Sequence, residues 1–509
     1  MKIKSLKLKN FRGYHGETIV NFENLTAFVG KNDIGKSSIM EALDIFFNDG
    51  KGIIKLDKND LNVESKVNED NEISISVCFC ELPSEIVIDA TNKTTLSAEY
   101  LLNNDDNLEI IKKYPNVGSA KVFIRAMHPT NNECAGLLLK KDSELRRIID
   151  TKQIPCEDKT RNAVMRTSIW RHYIDNLQLN IVDIDVTKGD TKSIWDKLEK
   201  YLPLYSLFQS DRKNSDGDSE VQDPLKEAVK EILTDETLMN KLNDVAKTVE
   251  TKLKEVSSRT LDKLKEMSPD IASTLNPVIP SANNLKWADV FKNVSIASDE
   301  NIPINKRGSG TKRLILLNFF RAEVEHRLNE SNTASVIYAI EEPETSQHSD
   351  NQKKLIKALS ELSKTSNTQV IITTHSATIV KELQFDNIRI VRMDDKQKIV
   401  ENTLPKQLPY PSLNEVNYLA FSEVSEEYHN ELYGYIEERG LLPEYKKGKS
   451  TVRYIRILRD GSTREEQIIE TEYIRHQIHH PENKENRHFV DLDLKKSIEA
   501  MREFISQIV

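Results

Sequence analysis

The sequence predicts an α/β fold that is assembled from two distant parts of the chain, with helices inserted between them and a small, mostly helical region at the end. Three observations support this prediction. A strand runs through a glycine-rich turn into a helix within residues 25–47. A second apolar strand, Val336–Ile340, ends in two glutamates. Between them, residues 239–256 repeat apolar side chains every three or four positions, as amphipathic helices do.

The composition is that of a charge-rich chain with more than one domain. Its 509 residues exceed one ordinary core, and 30% of them are charged against 38% hydrophobic. The net charge of −9 argues against general electrostatic capture of nucleic acid, although it allows a local basic groove. The four cysteines show no paired spacing, so neither a zinc ribbon nor a disulfide framework is predicted.

Nothing in the sequence predicts contact with a membrane. No apolar run approaches the ~18 residues that a membrane helix needs. The first residues, MKIKSLKLKNFRGY, lack the apolar core of a signal peptide. A reduced, cytoplasmic setting is therefore the default expectation.

The first motif is GKNDIGKSS, which lies between a predicted strand, TAFVG, and a predicted helix, IMEALDIFF. It has the spacing of the P-loop in the strand–helix context that this motif requires. The glycines let the backbone turn tightly and point N–H groups inward, and the helix start adds its positive dipole. We expect Lys36 to reach the β- and γ-phosphates of ATP and Ser37 to ligate Mg²⁺. The predicted nucleotide-binding residues of this motif are Gly30, Asn32, Asp33, Ile34, Gly35, Lys36, Ser37 and Ser38.

A later part of the chain supplies acidic residues to the same chemistry. The strand Val336–Ile340 ends in Glu341 and Glu342, and parallel α/β sheets bind ligands at such strand ends. We expect Glu341 to hold Mg²⁺ through water and Glu342 to polarise the attacking water. A further buried strand ends at His375, which can contact the γ-phosphate. Upstream, the small-residue turn 308–310 opens a helix whose N-terminus is an anion site.

In this order the four elements resemble the ABC-type ATPase head, in the branch that includes SMC, RecF and OLD proteins. The segments LKNFRGY, EEPE and TTHS are similar to that branch as well. The resemblance implies two heads that enclose two ATP molecules, with Lys36, Glu342 and His375 acting from one head. Ser309 and Gly310 of the other head would complete the site. The chain would therefore act as a homodimer or a higher oligomer.

Three features depart from the wider ABC pattern. The magnesium-binding acid is Glu341, where an aspartate is usual, and the signature segment reads GSGTKR, which brings Lys312 and Arg313 beside the nucleotide. No glutamine of the Q-loop is evident, although it would be expected to follow the strand EISISVCFC. These departures affect the expected rate of hydrolysis more than the expected binding of ATP.

The motifs and the composition predict four regions. Residues 1–139 form the first half of the head and residues 296–404 the second half. Residues 140–295 form a mainly helical insertion, which is too short for a long coiled coil. The proline-rich segment LPKQLPYPSLNE marks a boundary, so that residues 405–509 form a helical C-terminal domain.

The last region contains the unusual segment YIRHQIHHPENKENRH. Asp491 and Asp493 have no preceding buried strand, so a TOPRIM nuclease domain is not predicted, and the crowded histidines disfavour zinc. Two interpretations remain open. Arg475, His476 and His480 match the spacing of a HEPN-type ribonuclease, in which His transfers protons and Arg stabilises charge. Alternatively, the segment ends a helix and docks a partner protein or a nucleic-acid backbone.

The P-loop, the segment EEPETSQHS and this tail together resemble the Septu-type (PtuA-like) ATPases of bacterial antiphage defence, including those attached to retrons. The resemblance implies an ATPase that senses or clamps nucleic acid and controls a partner nuclease of the HNH type. In a retron it also implies contact with a reverse transcriptase and its RNA-linked DNA. Two alternatives stay open, namely a ribonuclease in the chain's own tail and a RecF-like DNA-repair ATPase.

Overall fold

The computed structural model describes residues 1–48, 52–89, 92–187, 191–209, 235–267, 335–345, 349–394, 397–458 and 460–508. The chain divides into two compact units, residues 1–210 with 327–509, and residues 211–326. The described part of the first unit contains two six-stranded sheets and the C-terminal region. The described part of the second unit is a single long helix.

The described elements include both strands and helices, as the α/β prediction requires. In chain order the strands are β1 (Lys2–Phe11), β2 (Tyr14–Asn21), β3 (Leu25–Val29), β4 (Glu72–Cys80), β5 (Ile86–Asp89), β6 (Asn92–Thr94), β7 (Leu108–Pro115), β8 (Lys121–Pro129), β9 (Leu179–Asp185), β10 (Leu204–Phe208), β11 (Val336–Glu341), β12 (Thr368–Thr374), β13 (Ile388–Asp394), β14 (Gln397–Asn402), β15 (Thr451–Ile457) and β16 (Thr463–Ile469). The helices are α1 (Lys36–Asn48), α2 (Val63–Val67), α3 (Asp142–Lys152), α4 (Asn162–His172), α5 (Thr191–Leu198), α6 (Glu236–Met267), α7 (Ser349–Ser363), α8 (Ala377–Val380), α9 (Leu413–Phe421), α10 (Glu426–Glu438), α11 (Leu442–Lys446), α12 (Glu470–His479) and α13 (Asp491–Ile508). Of these described helices, none is both long enough and apolar enough to cross a bilayer.

The central sheet joins the two ends of the head. Its strand order is β10–β11–β12–β3–β13–β14, and every neighbouring pair is parallel except β13 with β14. Every residue of β3, β11 and β12 is buried, as expected for parallel strands covered on both faces. Helix α1 packs against β10 and β12, and α7 packs against β12 and β3. The predicted α/β fold class is confirmed.

The second sheet is antiparallel and supports the helix that follows the P-loop. Its order is β2–β1–β4–β7–β8–β9. Alternate residues of β1, including Leu6 and Leu8, are fully buried, so one face of this sheet belongs to the main core. The rings of Phe46 and Phe47 at the end of α1 pack against Phe79 of β4, with ring centroids 6.3 and 6.0 Å apart. This contact fixes α1 between the two sheets.

One region that was predicted to be helical also contains strands. Strands β9 and β10 lie in the region predicted as the helical insertion, yet β9 pairs with β8 and β10 pairs with β11. Because residues 179–185 and 204–208 pair into the sheets, the region predicted to begin at residue 140 is not a helical insertion throughout. Neither strand carries a strong signal, since only one of the seven residues of β9 is buried and β10 has only five residues. The predicted amphipathic pattern does lie on a helix, α6, where Val245, Val249 and Leu253 are each about half exposed.

The C-terminal region is mostly helical, as predicted, but it also contains a hairpin. Helices α10 and α13 form its core with buried residues such as Leu432, Ile436 and Ile498. Strands β15 and β16 pair in the antiparallel direction, although the segment REEQII has a helical pattern. The β-branched and aromatic residues of β15 favour a strand, and pairing with it outweighs the helix propensity of its partner.

A buried ion pair holds α4 against the turn before β7. Arg166 is 2% exposed and Glu99 is fully buried, and the guanidinium contacts both carboxylate oxygens at 2.7 and 2.9 Å.

We predict that Arg166→Ala lowers the free energy of unfolding by about 3–5 kcal/mol, because the Glu99 carboxylate loses its cation in the interior. The measurement is the midpoint of urea unfolding. Arg146→Ala, which breaks an exposed pair with Asp142, is the control and should cost less than about 1 kcal/mol. Equal losses would contradict the prediction.

Candidate nucleotide-binding site

The P-loop connects β3 to α1, and its path depends on two glycines. Gly35 has a φ of +107°, which residues with a side chain rarely adopt. A Cβ at Gly30 would lie 2.5 Å from the carbonyl oxygen of Val391 on the neighbouring strand, so only glycine fits there. Helix α1 begins at Lys36, directly after the loop, and its first N–H groups lack partners within the helix. Loop and helix together form a backbone cradle for an anion.

Lys36 is folded back over this loop. Its Nζ donates hydrogen bonds to the carbonyl oxygens of Gly30 and Lys31, both at 2.8 Å. The residue is 4% exposed, and burial lowers the pKa of the ammonium, while the charges of Glu342, Glu344 and Asp33 act in the opposite direction. The ammonium group is therefore held at the cradle and does not extend into solvent.

The other predicted residues of the loop lie on the same turn. Asn32 and Asp33 are exposed, and Ile34 packs against the main core. Ser37 and Ser38 are half-buried in the first turn of α1. The predicted signature residues Ser309 and Gly310, with Lys312 and Arg313, lie outside the described residues.

The register of the central sheet brings the acidic residues to the same edge. Glu341 lies beside Thr373, which in turn lies beside Phe28 on the strand that leads into the P-loop. Glu341 is 8% exposed and ends its strand, and Glu342 follows with a φ of +40°. Since Mg²⁺ prefers hard oxygen ligands, the Glu341 carboxylate and the Ser37 hydroxyl are a suitable donor pair for it.

Two of the predicted catalytic groups contact each other. His375 Nδ1 lies 3.0 Å from Glu342 Oε1, and both side chains are partly accessible. The backbone N–H of Glu342 donates to the carbonyl and to the hydroxyl oxygen of Thr373, each at 3.1 Å. These bonds hold the turn after β11, so that the Glu342 carboxylate and the imidazole stay paired. A carboxylate in this position can accept a proton from water while the histidine orients it.

A third glutamate in this region was not singled out from the sequence. Glu344 is 3% exposed, and its Oε1 accepts a hydrogen bond of 2.5 Å from the hydroxyl of Thr374. Among the described residues its Oε2 is buried without a hydrogen-bond partner. Burial raises the pKa of this carboxyl. Because Thr374 directly precedes His375, Glu344 ties the turn after β11 to the end of β12. The signal in the sequence was the third glutamate of EEPE.

No glutamine directly follows the strand after which one was expected. The strand EISISVCFC is β4, it belongs to the antiparallel sheet, and Glu81 follows it. Gln209 instead follows β10, the neighbour of the glutamate-bearing strand, and its Nε2 donates to Glu41 Oε1 on α1 at 3.2 Å. Glu41 also forms an ion pair with Arg12, which is held in turn by Asp60 at 2.7 Å. In the sequence, Gln209 could have been found from the short apolar segment LYSLF, which it directly follows.

The predicted tail residues have separate partners. The Arg475 guanidinium forms an ion pair of 2.9 Å with Glu437 and lies 3.9 Å from the centre of the Tyr433 ring. His476 stacks on the Tyr454 ring, with centroids 5.1 Å apart. Burial lowers the pKa of His476, and a nearby arginine acts in the same direction.

His480 stands apart from this packing. It ends α12, its side chain is 58% exposed, and its Nδ1 lies 3.2 Å from a glutamate oxygen of Glu482. Within one chain, the side chains of Arg475, His476 and His480 therefore each contact a different partner. In the part of the chain that the structure describes, no group of three or more His, Cys, Asp or Glu side chains could hold a metal ion.

A P-loop on a parallel sheet, with glutamates and a histidine at the ends of the neighbouring strands, defines a P-loop ATPase. Residues 1–380 match the family described as AAA ATPase domain, and the chain belongs to this family. The chain is also 23% identical over 426 residues to the Endonuclease GajA of Bacillus cereus (strain HuB5-5). That alignment covers 79% of this chain and 60% of the relative, so the chain spans about 60% of that protein's length.

Solved structures of SMC head domains are similar to this chain as well. The SmcHead bound to the C-winged helix domain of ScpA is 15% identical, with a TM-score of 0.36, over 79% of this chain and 98% of that chain. The SMC head domain from Thermotoga maritima is 12% identical, with a TM-score of 0.32, over 79% and 100%. The Smc head domain with an extended coiled coil, bound to the C-terminal domain of ScpA derived from Pyrococcus furiosus, is 16% identical, with a TM-score of 0.34, over 82% and 98%.

The buried Glu344 gives a testable dependence of stability on pH. Its raised pKa means that the folded state favours the protonated carboxyl, so its contribution to stability is present below the ordinary value of 4.5 and is lost as pH rises through the folded pKa. Glu344→Gln removes this loss. We predict that the unfolding temperature of the variant, relative to the parent chain, rises from pH 4 to pH 7 in the absence of nucleotide. Glu361→Gln, an exposed substitution on α7, should show no such rise. A constant difference for Glu344→Gln would refute the prediction.

Proposed function

We propose that this ATPase binds ATP with Mg²⁺ and controls the cleavage of nucleic acid in bacterial antiphage defence, acting through a partner nuclease of the HNH type. The observation that carries the proposal is the contact between His375 and Glu342 at the sheet edge that also holds the P-loop. The similarity to a protein named as an endonuclease supports an output on nucleic acid. The resemblance of the motifs to Septu-type ATPases supports the role in defence.

In this proposal each part of the nucleotide site has its own role. The P-loop backbone and the ammonium of Lys36 bind the phosphates. Ser37 and Glu341 are positioned to hold Mg²⁺, which neutralises phosphate charge when it is bound. Glu342 accepts a proton from the attacking water, and His375 keeps the Glu342 carboxylate oriented.

The proposal includes a homodimer or a higher oligomer of heads. The described site draws its lysine, glutamates and histidine from one chain. Ser309 and Gly310 of a second copy, which lie outside the described residues, would add donors to the same phosphates. Binding of ATP would then favour association of the heads, because the nucleotide contacts both copies.

The tail geometry favours a separate nuclease over a nuclease within the chain. Arg475 is held by Glu437 and stacked on Tyr433, so its guanidinium is already neutralised and packed. We therefore assign the C-terminal region to docking, with the HNH nuclease as its partner. In a retron, the reverse transcriptase and its RNA-linked DNA would be further partners.

A ribonuclease in the tail is kept as the second candidate function. It is favoured by the Arg475–His480 spacing and by the 58% exposure of the His480 side chain, which leaves the imidazole accessible to a phosphodiester. It would require the Arg475 guanidinium to leave Glu437 and Tyr433 and to meet the His480 of a second copy.

Two substitutions at the nucleotide site are expected to separate ATP binding from ATP hydrolysis. Lys36→Ala should abolish ATP binding, because it removes the buried ammonium of the cradle. Glu342→Gln should keep ATP binding and lower turnover at least about a hundredfold, because the amide cannot accept a proton from water. The measurements are nucleotide titration and phosphate release. Glu361→Gln, an exposed substitution on α7 that breaks a pair with Lys364, is the control and should behave as the parent chain. Unchanged ATP binding in Lys36→Ala would reject the assignment of the site.

The two candidate outputs are separated by a cleavage assay on the purified chain alone. The chain is incubated with total tRNA or plasmid DNA, with and without ATP and Mg²⁺, beside the His480→Ala variant. We expect intact nucleic acid in every reaction, because each tail residue is engaged with a different partner side chain. Cleavage of RNA by the parent chain that disappears in His480→Ala would instead identify the tail as the catalytic centre. The variant His488→Ala is the matched control, because it removes a nearby histidine that does not belong to the predicted tail site.

A further inference from the structure

A second lysine reaches the P-loop from the far end of the head. Lys398 lies on β14, and its Nζ donates a hydrogen bond of 3.1 Å to the carbonyl oxygen of Asp33. Lys36 contacts the carbonyl oxygens of Gly30 and Lys31 in the same loop. Two ammonium groups, separated by more than 360 positions in the sequence, are thus bound to the backbone of one phosphate-binding turn.

The stem of Lys398 runs through a groove that two glycines keep open. A Cβ at Gly13, in the turn between β1 and β2, would overlap the Lys398 side chain, with its Cδ at 2.5 Å. A Cβ at Gly35 would lie 2.9 Å from the same Cδ and 3.3 Å from the hydroxyl of Tyr14. Tyr14 itself donates to the carbonyl oxygen of Gly35 at 3.0 Å. The path of the lysine is therefore built into the loop and is not the random position of a surface side chain.

The ammonium of Lys398 has no carboxylate partner within the described residues. Its hydrogen-bond partner there is the Asp33 backbone, although the side chain is half-buried. Burial lowers the pKa of Lys398, with Asp33 acting in the opposite direction and Arg12 in the same direction. Arg12 differs, since Glu41 and Asp60 neutralise it. An ammonium group that no described carboxylate pairs with can still donate to an anionic ligand beside it.

We propose that Lys398 is a second phosphate-binding lysine of the nucleotide site, which exchanges its contact with the Asp33 carbonyl for the phosphate chain of ATP. This inference rests on the proposed binding of ATP at the P-loop. The alternative is that Lys398 only braces the loop through its carbonyl bond and its packing between Gly13 and Gly35. The two roles depend on different parts of the Lys398 side chain. Bracing the loop depends on the packing of its aliphatic stem, whereas binding phosphate depends on its ammonium charge.

The test uses Lys398→Met in the full chain, because methionine keeps an unbranched stem between the two glycines and removes the ammonium. Dissociation constants for ATP and for ADP, each with Mg²⁺, are measured by calorimetry. The unfolding temperature without nucleotide is measured in parallel. Lys406→Met is the matched control, since Lys406 follows the same strand and pairs with Glu401 outside the P-loop. Lys36→Met reports on the nucleotide site itself.

We expect Lys398→Met to raise the dissociation constant for ATP at least about tenfold, as loss of one charged hydrogen bond predicts, with an unchanged unfolding temperature. Lys406→Met should change neither quantity. An ATP dissociation constant within about twofold of the parent value, while Lys36→Met loses binding, would overturn the proposal and leave Lys398 as a brace. Weaker binding together with a lower unfolding temperature would also overturn it, because the effect would then come from packing. Unchanged binding in Lys36→Met would instead reject the proposed nucleotide site.

Discussion

The rest of the head depends on the parallel alignment of β10, β11, β12 and β3, whose carboxyl ends meet at one edge. Gln209, the glutamates of EEPE, His375 and the P-loop each follow one of these strands. None of these groups is near another in sequence except within its own turn. Closing the chain between β3 and β11 costs conformational entropy, which grows only slowly with loop length. The fully buried apolar residues of these strands offset this cost, so burial and not local propensity sets the geometry of the site.

The same edge concentrates charges that do not cancel locally. Lys36 and Glu344 are nearly fully buried, and the pKa of each is shifted toward the neutral form. Such an arrangement costs stability unless phosphates and a cation complete it. Nucleotide binding should therefore add to folding stability through linkage, because the ligand binds the folded state alone. The antiparallel sheet has a different task, since it holds α1 through Phe79 and keeps the start of that helix aimed at the cradle.

Local signals were sufficient to predict part of this site, and long-range pairing decided the remainder. The P-loop and the segment EEPE have fixed spacing and an adjoining apolar strand, so both could be singled out from the sequence alone. The sequence analysis did not predict β10 or single out Gln209, because a five-residue apolar segment is identified as a strand only by its pairing with β11. The hairpin of β15 and β16 was missed because REEQII has a helical pattern until its partner strand is present. Lys398 could not be found at all, since only the register of β13 and β14 brings it to the loop.

The position of the C-terminal region gives the proposed control of a nuclease a physical basis. Ser376 follows His375 and caps α8, and the carbonyl oxygen of Ala377 at the start of that helix accepts a hydrogen bond from Asn417 on α9 at 3.3 Å. Lys381, at the end of α8, lies 3.5 Å from Glu427 on α10. A displacement of His375 on loss of the γ-phosphate would thus act on a helix that the C-terminal region already contacts. Coupling of this kind requires two conformations of α8 whose populations depend on the bound nucleotide. Helix α8 has four residues, so few backbone hydrogen bonds oppose its rearrangement and the free-energy cost is small.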